Sequence, residues 1–327
     1  MASFHFPEYL LNSPDVIQDN DNLVMYMDED KKLVWQQIME ERQQSHITRQ
    51  QLYKKINQRL GIPVISYCTS FRYPVMIDDS DADLLEGMLR KTDVSKGFAL
   101  LISSPGGDGL AAERIINICQ AYSGTKKFSA IIPGKSKSAA TMICLGADKL
   151  IMSETSELGS IDPQYIQMDE KGKPEVYSAY NYIMSYKKIF EKAIKHDGRM
   201  EPFLQALSAY DAKTIEENMS QIELSQHIAI KALQHGMYSG LDEDQIKEKI
   251  KIFLVPKREV KVHGRPIYYK DIDDLGLNIE LMQTKSKLWN QIYELYLRLN
   301  IYVSYNNVGK CIESETHSFA SGVPKEG

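Results

Sequence analysis

Two apolar runs, each closed by a short polar turn and followed by helical spacing, restrict this chain more than any other feature. Phe98–Ile102 leads into Ser103-Ser104-Pro105-Gly106-Gly107-Asp108-Gly109. Phe128–Ile132 leads into Gly134-Lys135-Ser136-Lys137-Ser138-Ala139-Ala140-Thr141. Unbroken apolar runs of this length read as strands covered on both faces. Helices are expected at Leu110–Ala121 and Lys137–Leu145, with a further strand at Leu150–Met152. Upstream, Pro63–Tyr67 reads as an entering strand, and Asp78-Asp79-Ser80-Asp81 as the cap of a helix through Leu84, Leu85, Met88 and Leu89. Strands alternating with helices predict an α/β fold with a mostly parallel sheet and right-handed crossovers.

The two turns also carry chemistry. Paired glycines let backbone amides approach a ligand with no Cβ in the way. A serine at the start of a helix of small residues sits beside unpaired N–H groups and the positive end of the helix dipole. A glycine amide facing a serine can hold the oxyanion formed when the serine attacks a carbonyl. Serine at such a position also serves as a plain helix cap, and Pro-Gly-Gly as a plain turn. The sequential pairing of the two segments favours the catalytic reading.

The pattern resembles the Clp-protease/crotonase superfold, on the side holding the Clp proteolytic subunit and signal peptide peptidase A. Within it, the soluble relatives of the serine dehydrogenase proteinase family match best. The resemblance rests on Ala99–Gly107, Lys137–Thr141, Gly146–Met152 and Glu157–Gln164, and more weakly on Gly264-Arg265-Pro266-Ile267 with Asp274–Leu277. It implies a Clp/crotonase-like repeated ββα core, with helical N- and C-terminal extensions here, and the activity of a serine endopeptidase. It aligns Ser138 with the nucleophile, ahead of Ser136. It aligns Gly107 with the usual oxyanion donor, beside Gly106, and makes Ala139 the second donor. The Clp subunit carries a histidine downstream of the nucleophile, whereas this chain has Ile161-Asp162-Pro163 there. The signal peptide peptidase side uses a lysine, which needs burial or a cationic neighbour to act as a base near neutral pH. Lys187 and Lys188 are the foremost candidates, then Lys173, with Asp162 as an orienting carboxylate. His196 and His263 are lesser candidates. The resemblance also implies a homo-oligomer, in which a neighbouring subunit can donate the base.

Composition narrows the remainder. A chain of 327 residues can bury a sizeable core. A net charge of −5 argues against nucleic acid as a partner. No apolar run approaches the roughly 18–20 residues that cross a bilayer, although many members of the resembled family carry such segments. The first residues lack a basic region followed by an apolar one, so no secretory signal is read there. The four cysteines are scattered with no metal-like spacing, which fits reduced thiols and a cytoplasmic protein. No metal or cofactor is expected; the expected partner is a protein or peptide substrate.

Three segments are expected: a helical arm over 1–60, with a helix over Leu33–Leu60; the peptidase domain over 61–280; and a C-terminal helix with a loose tail over 281–327. Residues 165–180 read as a loop, Tyr177–His196 as a helix, Pro202–Gln234 as one or two long helices, and Leu281–Tyr302 as an amphipathic helix. Two alternatives keep the fold and change the function. One is a non-catalytic oligomeric binding or sensing scaffold. The other is a crotonase-like enzyme acting on acyl-CoA thioesters.

Overall fold

The computed structural model describes residues 17–19, 22–24, 38, 45–168, 174–254, 265–305 and 307–323. Lys173 and His263 lie outside the described residues, as does most of the expected Leu33–Leu60 helix before Ser45. The chain divides into two units, Met1–Gln44 and Ser45–Gly327. In the first, β1 (Ile17–Asp19) and β2 (Asn22–Val24) pair antiparallel, within the segment read as the N-terminal arm.

The second unit begins with α1 (His46–Leu60), β3 (Val64–Thr69), α2 (Asp79–Arg90), β4 (Phe98–Ser103) and α3 (Gly109–Ser123). There follow β5 (Phe128–Ile132), β6 (Lys135–Ser136), α4 (Ala139–Leu145), β7 (Lys149–Met152) and β8 (Glu157–Leu158). Next come β9 (Gln164–Met168), β10 (Pro174–Ser178), α5 (Ala179–Ile194), α6 (Glu201–Leu207) and α7 (Ala212–His235). The unit closes with α8 (Glu243–Lys249), α9 (Lys251–Leu254), β11 (Ile279–Leu281), α10 (Lys287–Tyr305), β12 (Val308–Glu313) and β13 (Ser318–Gly322).

Seven of these strands form one sheet in the order β11-β7-β5-β4-β3-β12-β13. The first five are mutually parallel, and β12 and β13 join antiparallel. Alternation along the strands divides the core. Phe98, Leu100 and Ile102 of β4 face one apolar layer with α2, α3, α4 and α7. Ala99 and Leu101 face another, closed by α1 and α10. Period-two side-chain direction with helices on both faces explains why the strands read as unbroken apolar runs. The mostly parallel α/β sheet expected from the sequence is therefore present.

Capping sets the helix starts. Asp78 and Asp81 form a capping box at α2. Asp108 Oδ1 accepts from Leu110 N at 2.6 Å and Ala111 N at 3.0 Å at the start of α3. No described helix is long and apolar enough to cross a membrane.

Three expectations are corrected. The expected loop over 165–180 holds an antiparallel pair, β9 with β10, on which Tyr165 stacks against Tyr177 at 5.9 Å. The final long helix begins at Lys287; Leu281 belongs to β11, and the buried face runs through Trp289, Ile292, Leu295 and Leu299. The expected loose tail after Tyr305 is two strands of the main sheet. Cys311 pairs with Cys68 and Ile312 with Tyr67, and the two side chains alternate between the two core layers. Two charged residues of the tail, Glu313 and Lys310, are paired inside the fold. Arg49 of α1 grips Glu313 through Nε–Oε1 at 2.8 Å and Nη2–Oε2 at 2.6 Å, with both side chains fully buried. Lys310 bonds Asp78 and, at 2.8 Å, Asp81 Oδ2, which also accepts from Tyr67 Oη at 2.6 Å.

Candidate active site

The segment before Ser138 is pinned to the glycine turn. Ser104 N donates to Lys135 O at 3.1 Å and Lys137 N donates to Ser104 O at 2.9 Å. Helix α4 starts at Ala139, so the chain changes direction within one residue. Ser138 absorbs the change at φ 51°, ψ −121°. Such a conformation costs a non-glycine residue on the order of 1–3 kcal/mol. Thr141 braces the turn by donating Oγ1 to Ser136 O at 2.8 Å and accepting from Gly159 N at 3.0 Å. The Ser138 hydroxyl makes no hydrogen bond to a described residue and opens onto a cavity.

The two glycines have different tasks. Gly106 sits at φ 113°, and a Cβ there would lie 2.7 Å from Ser138 Cβ and 2.9 Å from Lys137 O. Its own N–H donates to Ser104 Oγ at 3.1 Å. The expectation that Gly106 supplies an oxyanion donor is therefore corrected: its amide is engaged, and its part is to let Ser138 approach the turn.

A Cβ on Gly107 would lie 2.3 Å from Ile77 O and 2.4 Å from Ile77 N. Ile77 N donates to Gly106 O and Asp108 N donates to Ile77 O, both at 2.9 Å. This bridging alternates along the backbone and turns the Gly107 N–H away from Ile77. Neither the Gly107 N–H nor the Ala139 N–H has an acceptor among the described residues. Both residues line the cavity of about 290 Å³ that holds Ser138. Two free donors beside a hydroxyl can bind a carbonyl oxygen as it gains charge.

The other candidates fall elsewhere. Ser136 is buried and donates its hydroxyl to Ile102 O at 2.8 Å, so it cannot reach a substrate. Asp162 is buried, with Oδ1 accepting from Tyr180 N at 3.1 Å. It ties the cavity loop Ile161–Gln164 to the first turn of α5. Lys187 and Lys188 are exposed on α5, and neither lines the Ser138 cavity. Lys188 lines a different cavity with Lys192, Lys195 and His196, whose ring packs on Phe203 at 5.0 Å. Among the described residues, the lining of the Ser138 cavity includes no lysine or histidine.

Sequence reasoning passed over two features of the site. Lys137, beside the serine, is held below the usual lysine range by burial, against the opposing pull of Glu157. Its Nζ bonds Leu158 O and Glu157, both at 3.0 Å, so its charge is satisfied away from the cavity lining. The far wall of the cavity comes from α7, through Gln221, Leu224 and Ser225. No local signal marks these residues, because tertiary packing alone brings α7 to the site.

Comparison with known proteins follows the same segments. Residues 7–195 match the model of a family described as ClpP-like SDH-type serine proteinase. An uncharacterized protein of Methanocaldococcus jannaschii is 28% identical over 221 residues, covering 67% of this chain and 63% of that protein. A second uncharacterized protein of the same organism is 25% identical over 239 residues, covering 72% and 65%. The chain spans less than two thirds of the length of these curated relatives. The α7 wall lies beyond the residues that match the family model.

Proposed function

We propose, from the premise that this chain belongs to the ClpP-like SDH-type serine proteinase family, that it hydrolyses peptide bonds with Ser138 as the nucleophile. One observation carries the reading. The Ser138 hydroxyl and the unengaged amides of Gly107 and Ala139 meet around a single cavity. Ser138 Oγ attacks the scissile carbonyl carbon and loses its proton to a general base. The carbonyl oxygen becomes an oxyanion held by the two amides. The base returns the proton to the leaving amine, and water then releases the acyl group by the same route. Loss of one amide donor typically costs about 3–4 kcal/mol of transition-state stabilisation.

The base in this reading is a lysine reaching the cavity from outside its described lining. Lys187 and Lys188 are exposed on α5 and therefore accessible to a second copy of the chain. Asp162 positions the start of that helix. Lys173 is the alternative donor. A homo-oligomer acting on protein or peptide substrates follows. The scaffold reading draws on the same gap in the cavity lining, and it predicts no turnover in any assembly. A crotonase-like enzyme would leave the strained Ser138 without a task.

Hydrolysis of an unfolded protein or a fluorogenic peptide tests the proposal. Ser138→Ala removes all turnover, as does Lys187→Ala combined with Lys188→Ala. Mixing and reassembling the two inactive proteins restores part of the activity if the lysine comes from a second copy. Undiminished hydrolysis by Ser138→Ala contradicts the reading. Full activity in the double lysine variant moves the base to Lys173.

A further inference from the structure

The shape of the Ser138 cavity bears on which peptides would enter it. An attacked carbonyl must place its oxygen at the Gly107 and Ala139 amides. The neighbouring side chain on the acyl side then lies along the face of α4 that follows Ser138. Met142 stands there one turn later, and with Ile161 it forms a buried apolar floor. The opposite wall is one face of α7, where Gln221 and Ser225 are a turn apart with Leu224 beside them. Gln221 and Ser225 make no side-chain hydrogen bond to a described residue. Gln164, at the mouth, adds a third neutral polar group.

Charge is scarce in this lining. Asp108 is its one charged side chain among the described residues, and its Oδ1 is engaged by the amides of Leu110 and Ala111. A carboxylate entering the cavity would find no cation in its described lining and would meet Asp108. A carboxamide would find both a donor and an acceptor on Gln221 and Ser225. A thioether would find Met142 and Leu224.

We infer that this cavity is the subsite for the side chain on the acyl side of the cleaved bond, and that it selects a long uncharged side chain, glutamine or methionine, over glutamate. Gln221 and Ser225 are its specificity residues. The inference rests on the serine-peptidase reading of Ser138 but uses a part of the chain beyond the family match, so relatives lacking this α7 face would not share the preference.

Peptides identical except for one residue (Gln, Met, Ala or Glu) separate the two claims. Their binding to Ser138→Ala, followed by fluorescence anisotropy, reads the subsite without catalysis. Their cleavage by the unmodified chain, read as kcat/KM, engages the serine as well. The Gln and Met peptides are expected to exceed the Glu peptide by about tenfold in both, because the described lining offers a carboxylate no cation and places Asp108 beside it. Gln221→Ala combined with Ser225→Ala lowers the Gln peptide by about tenfold and the Met peptide by less. Gln221→Lys reverses the order of Gln and Glu. Equal handling of Gln and Glu, no reversal in Gln221→Lys, or no binding of any peptide overturns the subsite. Ordered binding to Ser138→Ala with no cleavage by the unmodified chain keeps the subsite and sinks the peptidase reading. Cleavage that ignores the varied residue does the reverse.

Discussion

Two polar regions of this molecule are built on opposite terms. Around β12, every charge finds a partner: Glu313 has Arg49 and Ser318, and Lys310 has Asp78 and Asp81. Around Ser138, two amides and a hydroxyl are left without a partner among the described residues, and the backbone is strained. The first region closes the C-terminal strands onto the sheet. In the proposed reading, the second holds donors ready for a charge that exists only during a reaction. The same fold pairs charges where they anchor and, in the proposed reading, leaves donors open where they act.

The largest expected effect breaks the open side alone. Ser138→Ala lowers kcat by at least about a thousandfold, with little change in the unfolding midpoint, because the serine acts as part of one catalytic unit. Loss of stability together with activity would place Ser138 in the anchoring class instead.

Breaking the closed side has the reverse signature. Arg49→Met leaves Glu313 buried without its cation, at a cost of about 3–5 kcal/mol in chemical denaturation. Replacing Arg49 and Glu313 together by apolar residues of similar size costs much less. Equal costs for the single and double changes would show that the ion pair itself stabilises the fold.

Glycine substitutions sharpen the boundary between the two regions. Gly107→Ala drives a Cβ against the Ile77 backbone and costs about 1–3 kcal/mol through overpacking. It also moves the Gly107 amide, so kcat falls with stability. Ser138→Gly relieves the positive φ and raises stability by up to about 1 kcal/mol while abolishing turnover. A destabilised Ser138→Gly would contradict the strain.

The smallest effect concerns the thiols. Burial pushes Cys68 and Cys144 up to about 12, and it pushes Cys119 and Cys311 up as well. At pH 8 the folded protein therefore shows no fast-reacting thiol to a disulfide reagent, and the denatured chain shows all four. A rapid reaction in the folded state would show that the sheet opens locally at β3 and β12.

The legible part of this fold is the part whose signals are local. Phe98–Ile102 and Phe128–Ile132 announce strands, and the turns after them mark where Ser138 and Gly107 stand. Gly106 misled, because its amide is engaged by Ser104 Oγ, a contact set by a side chain two residues away. The strand β12 was hidden because Lys310 and Glu313 read as a solvated tail, while their partners lie far back in the sequence at Asp81 and Arg49. Gln221 and Ser225 were hidden for a similar reason, since α7 reaches the cavity through tertiary packing against α3, α4 and α5. The lysine base was read from a family spacing, and the structure places Lys187 and Lys188 on an exposed helix face instead.

The central claim is that Ser138 is an activated serine. It is tested most directly by reacting the folded protein with a fluorophosphonate probe and mapping the modified peptide. The account predicts a single label on Ser138 that disappears in Ser138→Ala. A folded protein that takes no label, or a label that persists in Ser138→Ala, would contradict it.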